Sequence, residues 1–277
     1  MKITILTSCA PFVEGRSVEQ ETALYSFAAV NDAEVIVLGD DVGVSKVCSD
    51  FGFKHISDLP IGEYIGIKNG GGILMGPAFE KALEVLTGEY VFFINADNIL
   101  VPTECNERGD LGDVLDHIAQ KTGNDFCAWN RRYEWPDYHK TYAKDDVVAR
   151  YTEAVYNYYC PAGEPLQQIK YGIDLYLWPT HLFEKLLKFP LAIDGWGYDV
   201  WLGYESYRLS KNVFYLKNVI DTIHPTHPNT SKHQEREHKE STAHNRKILE
   251  FNYPKATIRK LKTPQILTKS YLYEDKE

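Results

Sequence analysis

The run Gly88-Glu89-Tyr90-Val91-Phe92-Phe93-Ile94-Asn95-Ala96-Asp97-Asn98 constrains this chain more than any other stretch. Tyr90 to Ile94 is short, wholly apolar and rich in β-formers, which predicts a strand buried on both faces. A helix is expected before it. Pro77 suits a first helical turn, Phe79, Ala82, Leu83 and Leu86 recur at helical spacing, and Gly88 stands where a C-terminal cap belongs. The polar tip Asn95 to Asn98 follows at once. In open α/β sheets ligands bind just beyond the carboxyl ends of the strands, so an acid there is well placed to hold a metal or a sugar ring. The same residue types also cap turns, and the tip alone does not separate the two readings.

The flanking sequence alternates strand and helix patterns. Ile3 to Thr7 and Glu34 to Leu38 read as strands, Val18 to Val30 and Val44 to Phe51 as helices. Strands separated by helices predict an α/β fold with a doubly wound, mainly parallel sheet. Right-handed crossovers then gather the strand ends Thr7, Asp40/Asp41 and Asp97 on one edge. The segment Gly66-Ile67-Lys68-Asn69-Gly70-Gly71-Gly72 reads as a flexible loop whose glycines allow close approach to a phosphate or sugar. Neither G-x-G-x-x-G after a strand nor G-x-x-x-x-G-K-[ST] occurs, which disfavours a Rossmann dehydrogenase and a P-loop enzyme.

At 277 residues the chain makes one large domain or two intimate halves. We divide it into a first half (1–125), a second half of the same domain (126–245) and a tail (246–277). A net charge of −9 argues against nucleic acid as the main partner. The five cysteines, Cys9, Cys48, Cys105, Cys127 and Cys160, are scattered and lack CxxC spacing, as expected of reduced thiols. With no signal-like N-terminus and no apolar run near the ~20 residues needed to span a bilayer, a soluble cytoplasmic protein is expected.

Farther along, Leu111 to Ile118 predicts a helix ended near Gly123-Asn124, and Phe126 to Trp129 a strand. Residues 129–160 mix tryptophans and tyrosines with Arg131, Arg132 and Lys140, either an acceptor-facing excursion or an irregular packed segment. Ile173 to Leu177 reads as a strand, and Pro179 opens a helix through Leu187. In Ile193-Asp194-Gly195-Trp196-Gly197-Tyr198-Asp199 two glycines bracket an indole, and Asp199 leads a helix to about Leu209. An aromatic platform beside a fixed carboxylate suits sugar chemistry: one stacks, the other accepts a hydroxyl proton. The alternative for Asp199 is a helix cap. Strands at Val213 to Leu216 and Val219 to Ile223 lead to His224 and His227, imidazoles at a strand end that can complete a metal site. HExxH is absent, so a zinc protease has little support. His233, His238 and His244 fall in a charged helix and read as surface residues.

In this order of features the chain resembles the GT-A glycosyltransferases that use nucleotide-sugar donors, in a family 2-like or galactosyltransferase-like form with a W-G-x-D pattern, over roughly residues 1–230. The match rests on Thr7, Asp40-Asp41, Lys68-Asn69, Asn95-Ala96-Asp97, Gly195-Trp196-Gly197-Tyr198-Asp199 and His224/His227. The resemblance implies a glycosyltransferase of glycan biosynthesis, inverting, with Mn²⁺ or Mg²⁺ as cofactor, a nucleotide sugar (a UDP-sugar foremost) as donor and a glycan or other hydroxyl compound as acceptor. It implies donor contacts from Thr7, Asp40, Asp41, Lys68, Asn69, Asn95 and Asp97. Asp97, His224 and His227 become metal ligands, Asp199 the catalytic base, and Trp196, Asp194 and Tyr198 acceptor contacts. Two departures stand out: Asn95 replaces the first acid of D-x-D, and Tyr198-Asp199 replaces an acidic doublet, which leaves Asp194 a rival base. The alternatives are a sugar nucleotidyltransferase, which lacks its G-x-G-x-R loop here, and a glycan-binding module without turnover.

Overall fold

The computed structural model describes residues 3–12, 17–64, 67–102, 111–135, 146–159, 166–193, 195, 197–225, 232–252 and 265–266. Its first half follows the alternation in the sequence: β1 (Ile3–Ser8), α1 (Ser17–Ala28), β2 (Ala33–Leu38), α2 (Val44–Phe51), β3 (Lys54–Ile56), a hairpin of β4 (Ile61–Tyr64) and β5 (Ile67–Ile73), α3 (Met75–Val85) and β6 (Tyr90–Ile94). The second half runs β7 (Ile99–Pro102), α4 (Leu111–Thr122), β8 (Cys127–Trp135), α5 (Val147–Tyr159), β9 (Gln167–Pro179), the single turn α6 (Thr180–Phe183), α7 (Tyr198–Leu209), β10 (Val213–Tyr215), β11 (Ile220–Pro225), α8 (Lys232–Asn252) and β12 (Gln265–Ile266). The fold is α/β with a mixed, mostly parallel sheet.

The main sheet has the order β12-β10-β8-β9-β6-β1-β2-β3. β3, β2, β1 and β6 run parallel, so their carboxyl ends share one edge. β9 runs antiparallel to both its neighbours, β6 and β8. Chain order reverses between β1 and β6, the switch point at which such sheets leave a crevice. Period-two alternation divides the strand residues between two cores. Val35, Val37, Tyr90, Phe92 and Ile94 pack with Leu24 and Phe27 of α1 and Leu115 of α4. Ile36, Leu38, Val91 and Phe93 pack with Phe79 of α3, Trp201 of α7 and Leu249 of α8. Because β6 is covered on both faces, its five side chains are all buried, each large one contributing ~1.5–3 kcal/mol.

Several local expectations are corrected. Gly88 does not cap α3, whose C-cap is Leu86 in an extended conformation. Instead Gly88 lies against β1, where a Cβ would stand 2.5 Å from the Thr4 nitrogen; its N–H donates to Thr4 Oγ1 at 3.0 Å. The Ile67–Gly72 stretch is not a loop but most of β5, with Tyr64 facing Ile67 and Ile61 facing Ile73. Backbone pairing needs no side chains, so a glycine run can serve as a strand once a partner is aligned. The helix expected from Pro179 to Leu187 is the short α6, with Pro179 as its N-cap. His244 is not a surface residue: it is 1% exposed, with Nε2 2.7 Å from the Pro190 carbonyl. The side chains of His233 and His238 lie outside the described residues.

β8 and β9 are each much longer than their apolar cores suggest, and the added residues mix polar with aromatic and aliphatic ones. Cys9, Cys48 and Cys127 are free and buried; Cys105 and Cys160 lie outside the described residues. Among the described residues, no helix is long and apolar enough to cross a membrane.

Candidate functional site

The tip of β6 turns at once: the Asn98 N–H donates to the Asn95 carbonyl at 3.1 Å, closing a four-residue turn. β7 starts at Ile99 and pairs antiparallel with β11, Ile99 opposite Ile223. That register carries His224 to Asp97, with Nε2 3.4 Å from Asp97 Oδ2. β11 also runs parallel to β8, where His224 is the partner of Glu134 and its Nδ1 lies 3.3 Å from Glu134 Oε2. Asp97 Oδ1 accepts from Asn98 Nδ2 at 2.9 Å. Burial works against a charged imidazole, but carboxylates at both of its nitrogens outweigh that and hold His224 up at about 9.

The ion pairs continue inward. Arg132 Nε donates to Glu134 Oε1 at 2.7 Å, and Arg132 Nη1 to Asp174 Oδ2 at 2.9 Å. Asp174 is only 7% exposed; burial raises its pKa while Arg132 opposes the rise. Asp174 Oδ1 accepts from Asn95 Nδ2 at 3.0 Å, and Asn95 Oδ1 accepts from the Tyr198 hydroxyl at 2.8 Å. One hydrogen-bonded chain thus runs from Asp97 to the first residue of α7. Both ends of the Asn95 amide are engaged in it.

Asp199 follows Tyr198 in the first turn of α7, after Gly197, the N-cap, at φ 98°. The turn is anchored from behind. Asn245 of α8 accepts from the Ala192 N–H at 2.7 Å and donates to the Ala192 and Gly195 carbonyls, each at 2.9 Å. A Cβ on Gly195 would stand 2.5 Å from that amide. The Tyr176 hydroxyl donates to the Asp199 carbonyl. Asp199 Oδ1 is buried without a hydrogen-bond partner. Burial pushes this carboxyl up to about 6 against the pull of nearby backbone N–H groups, and Asp174 adds to the rise. A second buried acid, Asp221, is also raised to about 6 by burial, but the Tyr158 hydroxyl and Asn130 Nδ2 satisfy both its oxygens. Of these two, only Asp199 has an oxygen without a hydrogen-bond partner among the described residues.

At the neighbouring strand ends, Thr7 is fully buried with Oγ1 unpartnered, and Asp40 and Asp41 are exposed after β2. Burial drives the Cys9 thiol pKa far up, with Cys48, Asp41 and Asp97 adding to it, so the ends of β1, β2 and β6 meet. Thr7, Asp40, Asp41, Asn95, Asp97, Tyr198, Asp199 and His224 therefore lie along one edge. Lys68 and Asn69 are on β5, in the separate two-stranded sheet with β4, with side chains outside the described residues. Asp194, Trp196 and His227 also lie outside them.

No group of three or more His, Cys, Asp or Glu side chains among the described residues converges as a metal cage. The site suits an ion completed by substrate. A divalent cation ~2.1 Å from each of two ligands brings them to ~3 Å, near the 3.4 Å between Asp97 and His224. Glu134, 3.3 Å from the far nitrogen, stands where an outer partner would orient His224 if it held a cation.

Arg132, Glu134 and Asp174 were not singled out as site residues by sequence reasoning. Their signals were present: a lone acid inside the apolar run Ile173 to Leu177, and Arg132 and Glu134 two apart, on one face of a strand that continues past Trp129.

No family model matches the sequence, and no curated protein does. Among solved structures, the chain is similar to S. aureus TarS 1–349 in complex with UDP-GlcNAc, at 12% identity and TM-score 0.49, over 85% of this chain and 61% of that one. It is similar also to M. tuberculosis glucosyl-3-phosphoglycerate synthase in complex with Mn²⁺, UDP and phosphoglyceric acid, at 14% identity and TM-score 0.45, over 90% and 78%. The chain thus spans under two thirds of the TarS piece. Likenesses at these values assign no activity.

Proposed function

We propose that this chain transfers a sugar from a nucleotide-sugar donor to a hydroxyl acceptor by single displacement, with inversion at the anomeric carbon. One observation carries the reading: a buried carboxylate with an open oxygen, Asp199, is tied through Tyr198 and Asn95 to the strand tip that bears Asp97. Asp199 takes the acceptor hydroxyl proton as the new C–O bond forms and the bond to the donor diphosphate breaks. A general base of this kind contributes ~10²–10⁴-fold. Asp97 and His224 would hold Mn²⁺ or Mg²⁺, which when bound supplies positive charge to the leaving diphosphate. Thr7, Asp40 and Asp41 contact the base and ribose, Lys68 and Asn69 the donor, and Asp194 and Trp196 the acceptor. Free, buried cysteines support a reducing, cytoplasmic setting.

The test is calorimetry of UDP-, GDP- and dTDP-sugars with Mn²⁺ or EDTA, followed by product analysis. We expect one nucleotide sugar to bind in a metal-dependent way, and Asp97→Ala to abolish that dependence. Unchanged affinity in Asp97→Ala rules out the metal role. Binding of a nucleoside triphosphate with pyrophosphate release would make the chain a sugar nucleotidyltransferase, and glycan binding without any donor would make it a binding module.

A further inference from the structure

Three adjacent strands present four buried polar atoms without hydrogen-bond partners among the described residues: Trp129 Nε1 and Arg131 Nε on β8, Gln168 Nε2 on β9 and Tyr215 Oη on β10. They form one group. The Trp129 and Tyr215 rings lie 5.6 Å apart, and the Arg131 guanidinium stands over the Trp129 ring at 5.7 Å. The Arg131 charge acts on the Tyr215 hydroxyl, and the Gln168 amide approaches the same oxygen. Trp129 and Tyr215 are 2% and 9% exposed. Arg132 pairs with two carboxylates, whereas no carboxylate among the described residues pairs with Arg131.

The chemistry of this set is one-sided. Indole, guanidinium and amide nitrogens only donate, and a phenol donates readily. Buried donors left unmade are costly, and a partly buried cation without a counter-charge more so. An anionic oxygen group relieves both costs at once. The group lies next to the start of α7: Trp129 is directly across from Tyr176, whose hydroxyl donates to the Asp199 carbonyl. Asp97 and His224, in contrast, lie at the β6 tip.

Resting on the glycosyl-transfer reading, we propose that Arg131, with Trp129, Gln168 and Tyr215, binds an anionic oxygen group of the acceptor. The acceptor is then a hydroxyl compound carrying a phosphate or a carboxylate, not a neutral glycan. The two sources share the chemistry, and separate ligands distinguish them. Glycerol 3-phosphate, glycerate and glycerol are titrated into the full chain at saturating UDP and Mn²⁺, so that the donor's own phosphate contacts are occupied. One or both anions should bind and glycerol should not. Arg131→Gln should weaken the anion at least ~10-fold, the loss expected for a hydrogen bond to a charged group, and leave UDP affinity unchanged. Equal affinity for glycerol, no anion binding, or an unchanged anion affinity in Arg131→Gln overturns the proposal. If Arg131→Gln does not fold, Tyr215→Phe, which removes only a hydroxyl, decides in its place: unchanged anion affinity there overturns it. UDP binding without anion binding defeats this inference alone. Anion binding that is lost in Arg131→Gln, in a chain that binds no nucleotide, defeats glycosyl transfer and leaves the anion site standing.

Discussion

Replacing Asp199 by asparagine should make the protein more stable at alkaline pH and nearly inactive. The carboxyl is moved from 3.8 to about 6 by burial, so its ionised form is disfavoured in the folded protein by ~3 kcal/mol. For an acid raised on folding, the favourable contribution is fully present below pH ~4. It is lost as pH rises through 6, because only the folded state still holds the proton in that window. An asparagine keeps the shape and carries no charge to desolvate. Urea unfolding of both proteins from pH 4 to 8 should therefore show a gap that opens with pH and levels off at ~3 kcal/mol above pH 7 in favour of the variant. Turnover should move the other way: kcat falls ~10²-fold or more, while donor affinity is kept. The wild-type rate should itself drop below about pH 6 as the base is protonated. A gap independent of pH, or a variant less stable than wild type at pH 8, refutes the burial argument. Normal turnover in the variant refutes the role of base, and Asp194→Asn would then be the next candidate to measure.

Asn95→Asp should not restore a metal site but should destabilise by ~1–3 kcal/mol at pH 8 in chemical unfolding, since a second carboxylate would face Asp174 at 3.0 Å; equal stability with tighter Mn²⁺ binding would contradict this. Gly88→Ala should cost ~1–3 kcal/mol or more, because its Cβ would sit 2.5 Å from the Thr4 nitrogen of a central strand; a melting curve unchanged from wild type would show that β1 and β6 part more easily than their packing implies. Cys9, Cys48 and Cys127 should resist thiol reagents in the folded protein, the Cys48 thiol being pushed up to about 11 by burial, and all five cysteines should react once it is denatured without reductant. A disulfide found by mass spectrometry would remove the support for a reducing compartment.

The parts of the fold that could be read in the sequence are those where side-chain pattern and burial agree. β1, β2 and β6 alternate between two covered faces, so their apolar runs coincide with their lengths. α4 ends where Gly123 and Asn124 take positive φ, and α7 runs as its pattern predicted. The strands that build the site are different. β8 continues six residues beyond Trp129 through Asn130, Arg131, Arg132 and Glu134, and β9 begins six residues before Ile173. Their backbone ladders persist where the hydrophobic pattern is broken by Asn130, Arg131, Arg132 and Glu134, because backbone pairing needs no apolar side chain. A pattern of hydrophobicity therefore loses a strand at the point where polar side chains enter its ladder. The Asp97–His224 pairing was accessible as two strand tips, but Glu134 and Arg132 needed the register of β8 against β11. His244 was misassigned because its charged neighbours hide a face of α8 that packs on the segment leading to Asp199.

The same network explains why an amide stands where an acid was expected. Position 95 must donate to Asp174 and accept from the Tyr198 hydroxyl at once. An ionised carboxylate has no proton to donate, and beside Asp174 and Asp97 it would add a third negative charge to a partly buried cluster. Asparagine satisfies both contacts without charge. What a second acid would have given to a cation is thus exchanged for a fixed link between the strand tip and the start of α7. The ion, if it binds, must then draw its remaining ligands from the donor's phosphates and from solvent, as Mg²⁺ commonly does. Metal affinity without nucleotide should accordingly be weak, while the position of Asp199 relative to Asp97 is set before any substrate arrives. Asparagine at position 95 therefore fits the role proposed for Asp199 as base, because it fixes the link to α7 without adding charge.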